Sequence, residues 1–165
     1  PFRADWDFVK LKGISMKMNS KTNSGSYWKF VYDTAYCDLT HEFYDLCQFH
    51  DEESLMRLMN QNPHHVESLF RYGFLLRIKD DDPNVYIELI ERALYIFEKS
   101  RHINFNFYDP MFHLSYTVYE NRFFLCYLVR TFLMCLFVHI LNLEDKCCYI
   151  ACLEYCKLLL WYFFS

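Results

Sequence analysis

Residues that break helices are scarce in this chain. Only 3 glycines and 4 prolines occur among 165 residues, whereas apolar residues make up 53% of the chain. Multi-hairpin β architectures and flexible linkers need more turn-forming residues than this, and a wholly disordered chain would contain fewer apolar ones. The long apolar runs therefore predict helices. The first question is whether these helices lie in water or in a bilayer.

The charge balance and the cysteines narrow the class of protein further. The formal net charge is −4, from 17 Lys and Arg against 21 Asp and Glu. A dedicated nucleic-acid-binding protein would show a basic excess, so we predict no direct nucleic-acid site. The first residues are mixed and charged, without the short apolar core of a signal peptide. Most of the 8 cysteines lie inside apolar runs, which predicts reduced core thiols in a cytosolic or nuclear protein.

Four breaks divide the apolar part of the chain. They lie near Pro63, Pro83, Pro110 and Asp145, and they separate predicted helices of about 10–20 residues. Asp51 is predicted to be the N-cap of one of these helices. Asn62–Pro63 is predicted to end that helix and to begin the next, with Asn62 as the cap and Pro63 at the first helical position, where Pro is favoured. Pairs of short helices of this kind stack into solenoids of the tetratricopeptide type. The predicted fold is therefore an all-α, tetratricopeptide-like helical hairpin solenoid.

The N-terminal part of the chain carries a weaker pattern. Residues 1–26 are predicted to be irregular or disordered, and residues 27–165 to form a partial helical repeat-like domain. Within the first segment, residues 16–26 are rich in Ser, Asn and Lys, which is typical of a loop. Residues 27–32 alternate aromatic and other side chains. This alternation fits a short strand or an extended arm that packs on helices, and we favour the arm.

The longest apolar run, residues 123–143, has the length of a membrane span. Arg130 lies about one-third of the way along it, where an arginine costs about 2.5–3.5 kcal/mol on insertion scales. His139 and Asn142 add to this cost near the other end, and no basic cluster flanks the run. We favour a buried helix within a helical stack. A small membrane protein anchored by residues 123–143 is the alternative.

One group of potential metal ligands stands out. Cys37, His41, Cys47 and His50 all carry side chains that bind zinc, but the spacing is not that of a usual zinc finger. On one continuous helix, the first pair and the second pair would point to nearly opposite sides. We therefore interpret these residues as core or surface positions and predict no metal site.

Other chemistry-bearing residues also have simpler interpretations. Cys148, Cys152 and Cys156 repeat every four residues, so they form one helical stripe that cannot surround a metal, and we predict that they pack in the core. His64 and His65 are predicted to cap or pack at a helix start. The chain contains no Gly-rich phosphate loop, Gly-x-Ser-x-Gly elbow or His-Glu-x-x-His motif. We expect neither a cofactor nor an enzyme.

Five segments of the chain, in order, resemble the motifs of one known family. They are Lys29–Tyr32 with Ala35–Tyr36, Asn62–Leu69, Leu89–Glu98, Glu120–Phe124, and Leu153–Leu160. The family is transcription factor 25, also called nuclear localized protein 1, and its yeast relative is ribosome quality control complex subunit 1. The resemblance covers nearly all of residues 27–160.

The resemblance implies a helical scaffold without catalytic residues. Members of this family act with the E3 ubiquitin ligase Listerin on stalled large ribosomal subunits, promote ubiquitination of the nascent chain, and support recruitment of a hexameric extraction ATPase. Vertebrate members are also described as nuclear transcriptional repressors. The implied partners are therefore the ligase, the ATPase and the large ribosomal subunit, and the implied location is the cytoplasm and also the nucleus. A nuclear repressor module with the same fold is the alternative function.

The family-motif positions are the candidate structural or partner-binding residues. They are Pro63, His65, Val66, Glu67, Ser68, Glu91, Arg92, Ala93, Glu120, Asn121, Arg122, Cys156 and Lys157. Of these, Glu120, Asn121 and Arg122 are expected to cap the long helix and to pair between helices. The family's basic N-terminal region and later helices have no counterpart here. We therefore expect a truncated piece of a longer solenoid.

Overall fold

A computed structural model of the chain describes residues 13–23, 25–49, 51–107, 109, 111–115 and 125–164. These residues form six helices and three strands. In chain order the elements are β1 (Ile14–Thr22), β2 (Gly25–Tyr32), α1 (Thr34–Phe49), α2 (Glu52–Gln61), α3 (Val66–Ile78), α4 (Pro83–Ser100), β3 (Phe112–Leu114), α5 (Leu125–Asp145) and α6 (Tyr149–Phe164). The strands form one mixed sheet in the order β1-β2-β3.

This sheet shows that the all-α prediction is wrong. Strands β2 and β3 pair in parallel, with Ser26 opposite Phe112 and Trp28 opposite Leu114. Along β2, Ser26, Trp28 and Phe30 are buried while the residues between them are partly exposed, which is the alternation of a strand rather than an arm. The predicted tetratricopeptide-like hairpin solenoid is wrong for the same reason, because a helical repeat contains no such sheet.

The loop predicted for residues 16–26 is also wrong. Strand β1 lies at an edge of the sheet, and apart from Ile14 and Met16 its residues are exposed. An edge strand with so many polar residues has the composition of a loop, which explains the error. Residues 1–12 of the segment predicted to be irregular lie outside the described residues.

The chain divides into two compact units. The first comprises residues 1–14 and 32–99, and the second comprises residues 15–31 and 100–165. Helices α1 to α4, apart from the last residue of α4, Ser100, belong to the first unit. Apart from the end residues Ile14 and Tyr32, the sheet belongs to the second unit, together with α5 and α6.

In the first unit, local chemistry sets the helix ends much as the sequence predicts. The Oδ1 atom of Asp51 accepts a hydrogen bond from the Ser54 backbone N–H at 3.1 Å and caps α2. Helix α4 begins at Pro83, as predicted. Helices α1, α2 and α3 meet at a core of Phe43, Leu55 and Leu58.

Gly73 allows α3 and α4 to approach each other closely. A Cβ atom at this position would lie 3.3 Å from the Leu89 Cβ and 3.5 Å from the Tyr86 carbonyl oxygen. Ala93 on α4 is fully buried. A small residue is therefore needed at position 73.

A larger side chain at Gly73 is expected to destabilise the fold. We expect Gly73→Leu to lower the free energy of unfolding by about 2–3 kcal/mol, because the added atoms meet backbone and Cβ atoms that cannot easily move. Gly73→Ala is the control, since its better helix propensity, worth about 1 kcal/mol, offsets mild crowding. Urea unfolding followed by circular dichroism measures both. Equal stabilities for the two variants would contradict this account.

In the second unit, aromatic side chains surround the sheet. Trp28 is buried, and its ring centroid lies 5.0 Å from that of His102 and 5.8 Å from that of Phe105. Helices α5 and α6 pack against each other. The Tyr162 hydroxyl on α6 donates a hydrogen bond to the Phe107 carbonyl oxygen at 2.9 Å.

Helix α5 contains most of the run considered as a membrane span. It buries His139 and Asn142, and burial lowers the pKa of His139 to about 4. Arg130 is exposed. Among the residues that the structure describes, no helix combines the length and the apolar character that crossing a membrane requires.

Candidate functional site

The family motif that follows α2 joins two helices. Asn62 ends α2, and its backbone N–H and its side-chain amide both donate to the Leu58 carbonyl oxygen. Helix α3 begins at Val66, and His65 is its N-cap. The prediction that Asn62–Pro63 ends the preceding helix is confirmed, whereas the prediction that it begins the next one is wrong, because α3 begins three residues after Pro63. The capping role predicted for His65 is confirmed.

A buried polar network links α1 to the start of α3. The Tyr36 hydroxyl donates to the Glu67 Oε2 atom at 2.5 Å and accepts a hydrogen bond from the Val66 backbone N–H at 3.0 Å. The Thr40 hydroxyl donates to the Tyr36 carbonyl oxygen at 2.8 Å. Tyr36, Thr40 and Glu67 are all buried, so these bonds replace contacts with water.

The hydrogen bonds of His65 define where its proton lies. Its Nδ1 atom accepts from the Ser68 backbone N–H at 3.3 Å, so the proton of the neutral ring is on Nε2. The Nε2 atom lies 3.3 Å from the Thr40 Oγ1 atom and 3.4 Å from the Glu67 Oε2 atom. Burial lowers the pKa of His65 to about 3. The contact with Glu67 is therefore not an ion pair at pH 7.

The same burial acts on the two acids of the network. It raises the pKa of Glu67 to about 7, although the hydrogen bond from Tyr36 opposes this change. Burial and the nearby Glu67 carboxyl raise the pKa of Tyr36 well above its ordinary value. Burial thus favours the neutral form of each of these groups, and their polar atoms bond to one another, which is the chemistry of a structural link.

The raised pKa of Glu67 predicts a pH dependence. The folded state binds more protons than the unfolded state between pH 4.5 and 7, so the Glu67 contribution to stability is lost as pH rises through this window. His65 acts in the opposite direction between pH 3 and 6.5, where its lowered pKa makes stability rise with pH. Glu67→Gln removes only the first effect.

We therefore expect the difference in unfolding free energy between Glu67→Gln and the wild type to depend on pH. From pH 5 to pH 8 it shifts in favour of the variant by about 2–3 kcal/mol, the value of about two pKa units. Urea titrations at both pH values measure it, and the His65 effect cancels because both proteins contain it. A difference independent of pH would contradict the raised pKa.

An open cleft of about 640 Å³ adjoins the network. Tyr36 and His65 line part of it, together with the acidic side chains of Asp33, Asp38 and Glu42. All of these residues belong to the first unit. The cleft gives the motif a solvent-facing side, but the imidazole of His65 is itself buried.

The remaining motif positions lie on other elements. Glu91 and Arg92 are half-buried on α4, and burial lowers the pKa of Arg92 while Glu88 opposes that change. Cys156 is half-buried on α6, and the exposed Lys157 forms an ion pair with Glu154. The predicted capping triad, residues 120–122, lies outside the described residues. Of the described motif positions, those from His65 to Ser68 share the network.

The metal-ligand candidates do not come together in the part of the chain described. There, no group of three or more His, Cys, Asp and Glu side chains is arranged to hold a metal ion. Cys37 and Cys47 are half-buried on α1, His41 is exposed there, and His50 lies outside the described residues.

The core placement predicted for the cysteines is largely wrong. Seven described cysteines are free thiols, and of these Cys135 alone is buried. Cys148 is exposed, whereas Cys152 and Cys156 are half-buried, so the helical stripe lies at the edge of the α5–α6 pair instead of inside it. Cys152 still reaches α5, because its thiol lies 3.8 Å from the Ile140 carbonyl oxygen, beside the Tyr155 ring that packs edge-on to His139.

Sequence reasoning missed two residues of the network. Tyr36 and Thr40 lie four residues apart on α1, and so share a helical face. Tyr36 belonged to a segment resembling the family, but not to the candidate site residues. The sequence did contain an indication of their role, since this tyrosine and this threonine share the buried face of α1.

Comparison with known proteins identifies the family. Residues 28–162 match the family model described as "Transcriptional repressor TCF25". The chain belongs to the TCF25 family. It is 28% identical over 158 residues to the mouse protein named "Ribosome quality control complex subunit TCF25", covering 96% of this chain and 22% of that protein.

Two further relatives of this TCF25-family chain extend the comparison. The human protein of the same name is 27% identical over 158 residues, with the same coverage. The Schizosaccharomyces pombe protein named "Ribosome quality control complex subunit 1" is 24% identical over 156 residues, covering 94% of this chain and 22% of that protein. The chain thus spans about a fifth of the length of these relatives. No solved structure matches it. The family predicted from the sequence is confirmed.

Proposed function

We propose that this chain is a non-enzymatic, helix-rich scaffold module that works in ribosome quality control. Membership of the TCF25 family supports the proposal, since three relatives from mouse, human and fission yeast carry the name of a ribosome quality control complex subunit. The proposed partners are proteins associated with stalled large ribosomal subunits, among them an E3 ubiquitin ligase and an extraction ATPase. The proposed location is the cytoplasm, with a nuclear pool.

The scaffold role is supported by where the side chains of the family motif lie in the fold. His65, Glu67 and Ser68 are the most chemically capable residues of the Asn62–Leu69 segment, and all three are buried and bonded within the fold. A catalytic group must reach its substrate, whereas these groups reach one another. The motif therefore maintains the shape that the surface presents to partners.

Ribosome association is tested by co-sedimentation. The tagged chain is added to an extract in which translation has been stalled, and large ribosomal subunits are separated on a sucrose gradient. We expect the chain to migrate with these subunits, and to leave them when the E3 ligase is removed from the extract. A chain that stays at the top of the gradient in both extracts would overturn the proposal.

A non-enzymatic scaffold does not need its exposed cysteine thiols for ubiquitin transfer. Ubiquitin transfer through a covalent intermediate needs an accessible cysteine, and Cys147 and Cys148 are the exposed thiols among the described residues. We expect the variant Cys147→Ser/Cys148→Ser to support ligase-dependent ubiquitination of stalled nascent chains as well as the wild type does. A reconstituted reaction with purified stalled subunits measures this. Loss of ubiquitination with an unchanged circular dichroism spectrum would show a catalytic thiol.

A second candidate function is a nuclear repressor module, which the description of the matching family model favours. A reporter assay separates the two functions. The chain is fused to a heterologous DNA-binding domain and directed to a promoter, and the matched control is the DNA-binding domain alone. Repression by the fusion, together with failure to co-sediment with ribosomal subunits, would favour the repressor role over the scaffold role.

A further inference from the structure

Helix α6 presents an apolar surface to solvent. Ile150 is 85% exposed and Trp161 is 41% exposed, and Tyr149, Leu153 and Leu160 are exposed beside them. The opposite side of the helix faces α5, where Tyr155 packs on His139 and Cys152 Sγ lies 3.8 Å from the Ile140 carbonyl oxygen. The apolar residues therefore form an outward face, with Trp161 at its edge, where its ring also stacks on His113 at a centroid distance of 6.3 Å. Such a face on one helix is typical of an interaction surface.

Two residues of the outward face, Ile150 and Trp161, lie on one line along the helix with the charged residues Glu154 and Lys157. Ile150, Glu154, Lys157 and Trp161 are separated by four, three and four residues, which is the alternation of the two core positions of a heptad. At 100° per residue these four side chains fall within about 60° around the helix axis. We call this line of residues the α6 seam.

The α6 seam is complementary to itself in an antiparallel arrangement. A two-fold axis midway between residues 155 and 156 places Ile150 of one copy opposite Trp161 of the other, and Glu154 opposite Lys157. Both the apolar pair and the charged pair are matched by the same axis, which is the requirement of an isologous interface. A parallel arrangement would place each charge opposite an identical charge.

We infer that a second copy of this chain occupies the α6 seam in an antiparallel two-fold dimer. The Lys157 Nζ and Glu154 Oε1 atoms are already 2.7 Å apart within one copy, so the seam carries no net charge that would keep two copies apart. One 16-residue helix is about 24 Å long and provides less than a standard interface, so the dimer is weak and forms in the micromolar range. This inference is independent of the proposed function.

A charge exchange tests the pairing. In Glu154→Lys the seam carries two positive charges, and in Lys157→Glu it carries two negative charges. We expect each variant alone to be monomeric in sedimentation equilibrium over roughly 1–100 µM, and an equal mixture of the two to recover the dimer. Both side chains are more than half exposed, so neither change disturbs the fold. A mixture that stays monomeric while the wild type dimerises would overturn the pairing.

An apolar substitution tests the surface. We expect Ile150→Glu to weaken dimerisation at least about tenfold, whereas Ile103→Glu leaves it unchanged. Ile103 is the matched control, because it is 89% exposed and lies outside α6 in the same unit. A wild-type chain that is monomeric throughout, or that forms species larger than a dimer, would overturn the inference, as would equal effects of the two substitutions.

Discussion

Tyr36→Phe is expected to lower the free energy of unfolding by about 2–4 kcal/mol, although it removes a single oxygen atom. The Tyr36 hydroxyl is the partner of both the Glu67 carboxyl and the Val66 backbone N–H, which are buried. A buried polar group without a partner costs about 1–3 kcal/mol. The substitution removes the Tyr36 partner of the Val66 N–H, and it takes from the Glu67 carboxyl its shortest hydrogen bond, which leaves the 3.4 Å contact with the His65 Nε2 atom. Urea unfolding at pH 7, followed by far-UV circular dichroism, measures the loss.

Tyr72→Phe is the control for this substitution. Tyr72 lies on α3 in the same unit and packs against the core of Phe43, Leu55 and Leu58, and its hydroxyl forms no hydrogen bond with any described residue. We expect it to change stability by less than about 0.5 kcal/mol. Losses of similar size in the two variants would show that the Tyr36 hydroxyl has no special role.

A double-mutant cycle locates the cost of the Tyr36 substitution. If part of the cost of Tyr36→Phe comes from the hydrogen bond that Glu67 loses, replacing Glu67 by an apolar residue of similar size removes that part of the cost. We expect Tyr36→Phe/Glu67→Leu to be less destabilised than the sum of the two single variants by about 1 kcal/mol or more. Strict additivity would contradict a direct link between these side chains.

Trp28→Ala is expected to lower the free energy of unfolding by about 3–5 kcal/mol, the range for truncating a large buried aromatic residue. Trp28 is 1% exposed and contacts the rings of His102, Phe105 and Phe112. The result tests whether Trp28 is a core residue, because truncating an exposed side chain would cost little.

Met18→Ala is the matched control for the sheet. Met18 lies on the neighbouring strand β1 but is 49% exposed, so we expect a change of less than about 0.5 kcal/mol. Urea unfolding followed by far-UV circular dichroism applies to both variants, since this signal does not depend on the tryptophan that is removed. A loss below about 1 kcal/mol for Trp28→Ala would place the residue outside the core.

The features of the fold that were predicted correctly depend on residues close together in the sequence, and those that were missed depend on residues far apart. The start of α4 at Pro83 and the cap at Asp51 depend on residues within one helical turn, and both were predicted from the sequence. The sheet depends on the pairing of Ser26 with Phe112, which are 86 residues apart. No local pattern reports such a partner, and three residues are too few to indicate β3 by themselves.

The candidate site shows the same division. The capping role of His65 was predicted because the beginning of a helix has a local chemistry of its own. Its connection to Thr40, 25 residues earlier, and that of Glu67 to Tyr36, 31 residues earlier, required the packing of α1 on α3. The motif identified the family, and the structure shows that its polar side chains bond inside the fold.

The second unit is built from two segments that are separated in the sequence, and this affects how it folds during synthesis. Residues 15–31 emerge first, and residues 32–99 follow before any part of 100–165 exists. At about 5–20 residues per second, β2 waits several seconds for β3, with Trp28 and Phe30 on an incomplete sheet. The intervening unit can fold during that delay. A translation arrest between residues 99 and 112 would therefore release a chain with an open strand edge, which is a template for aggregation.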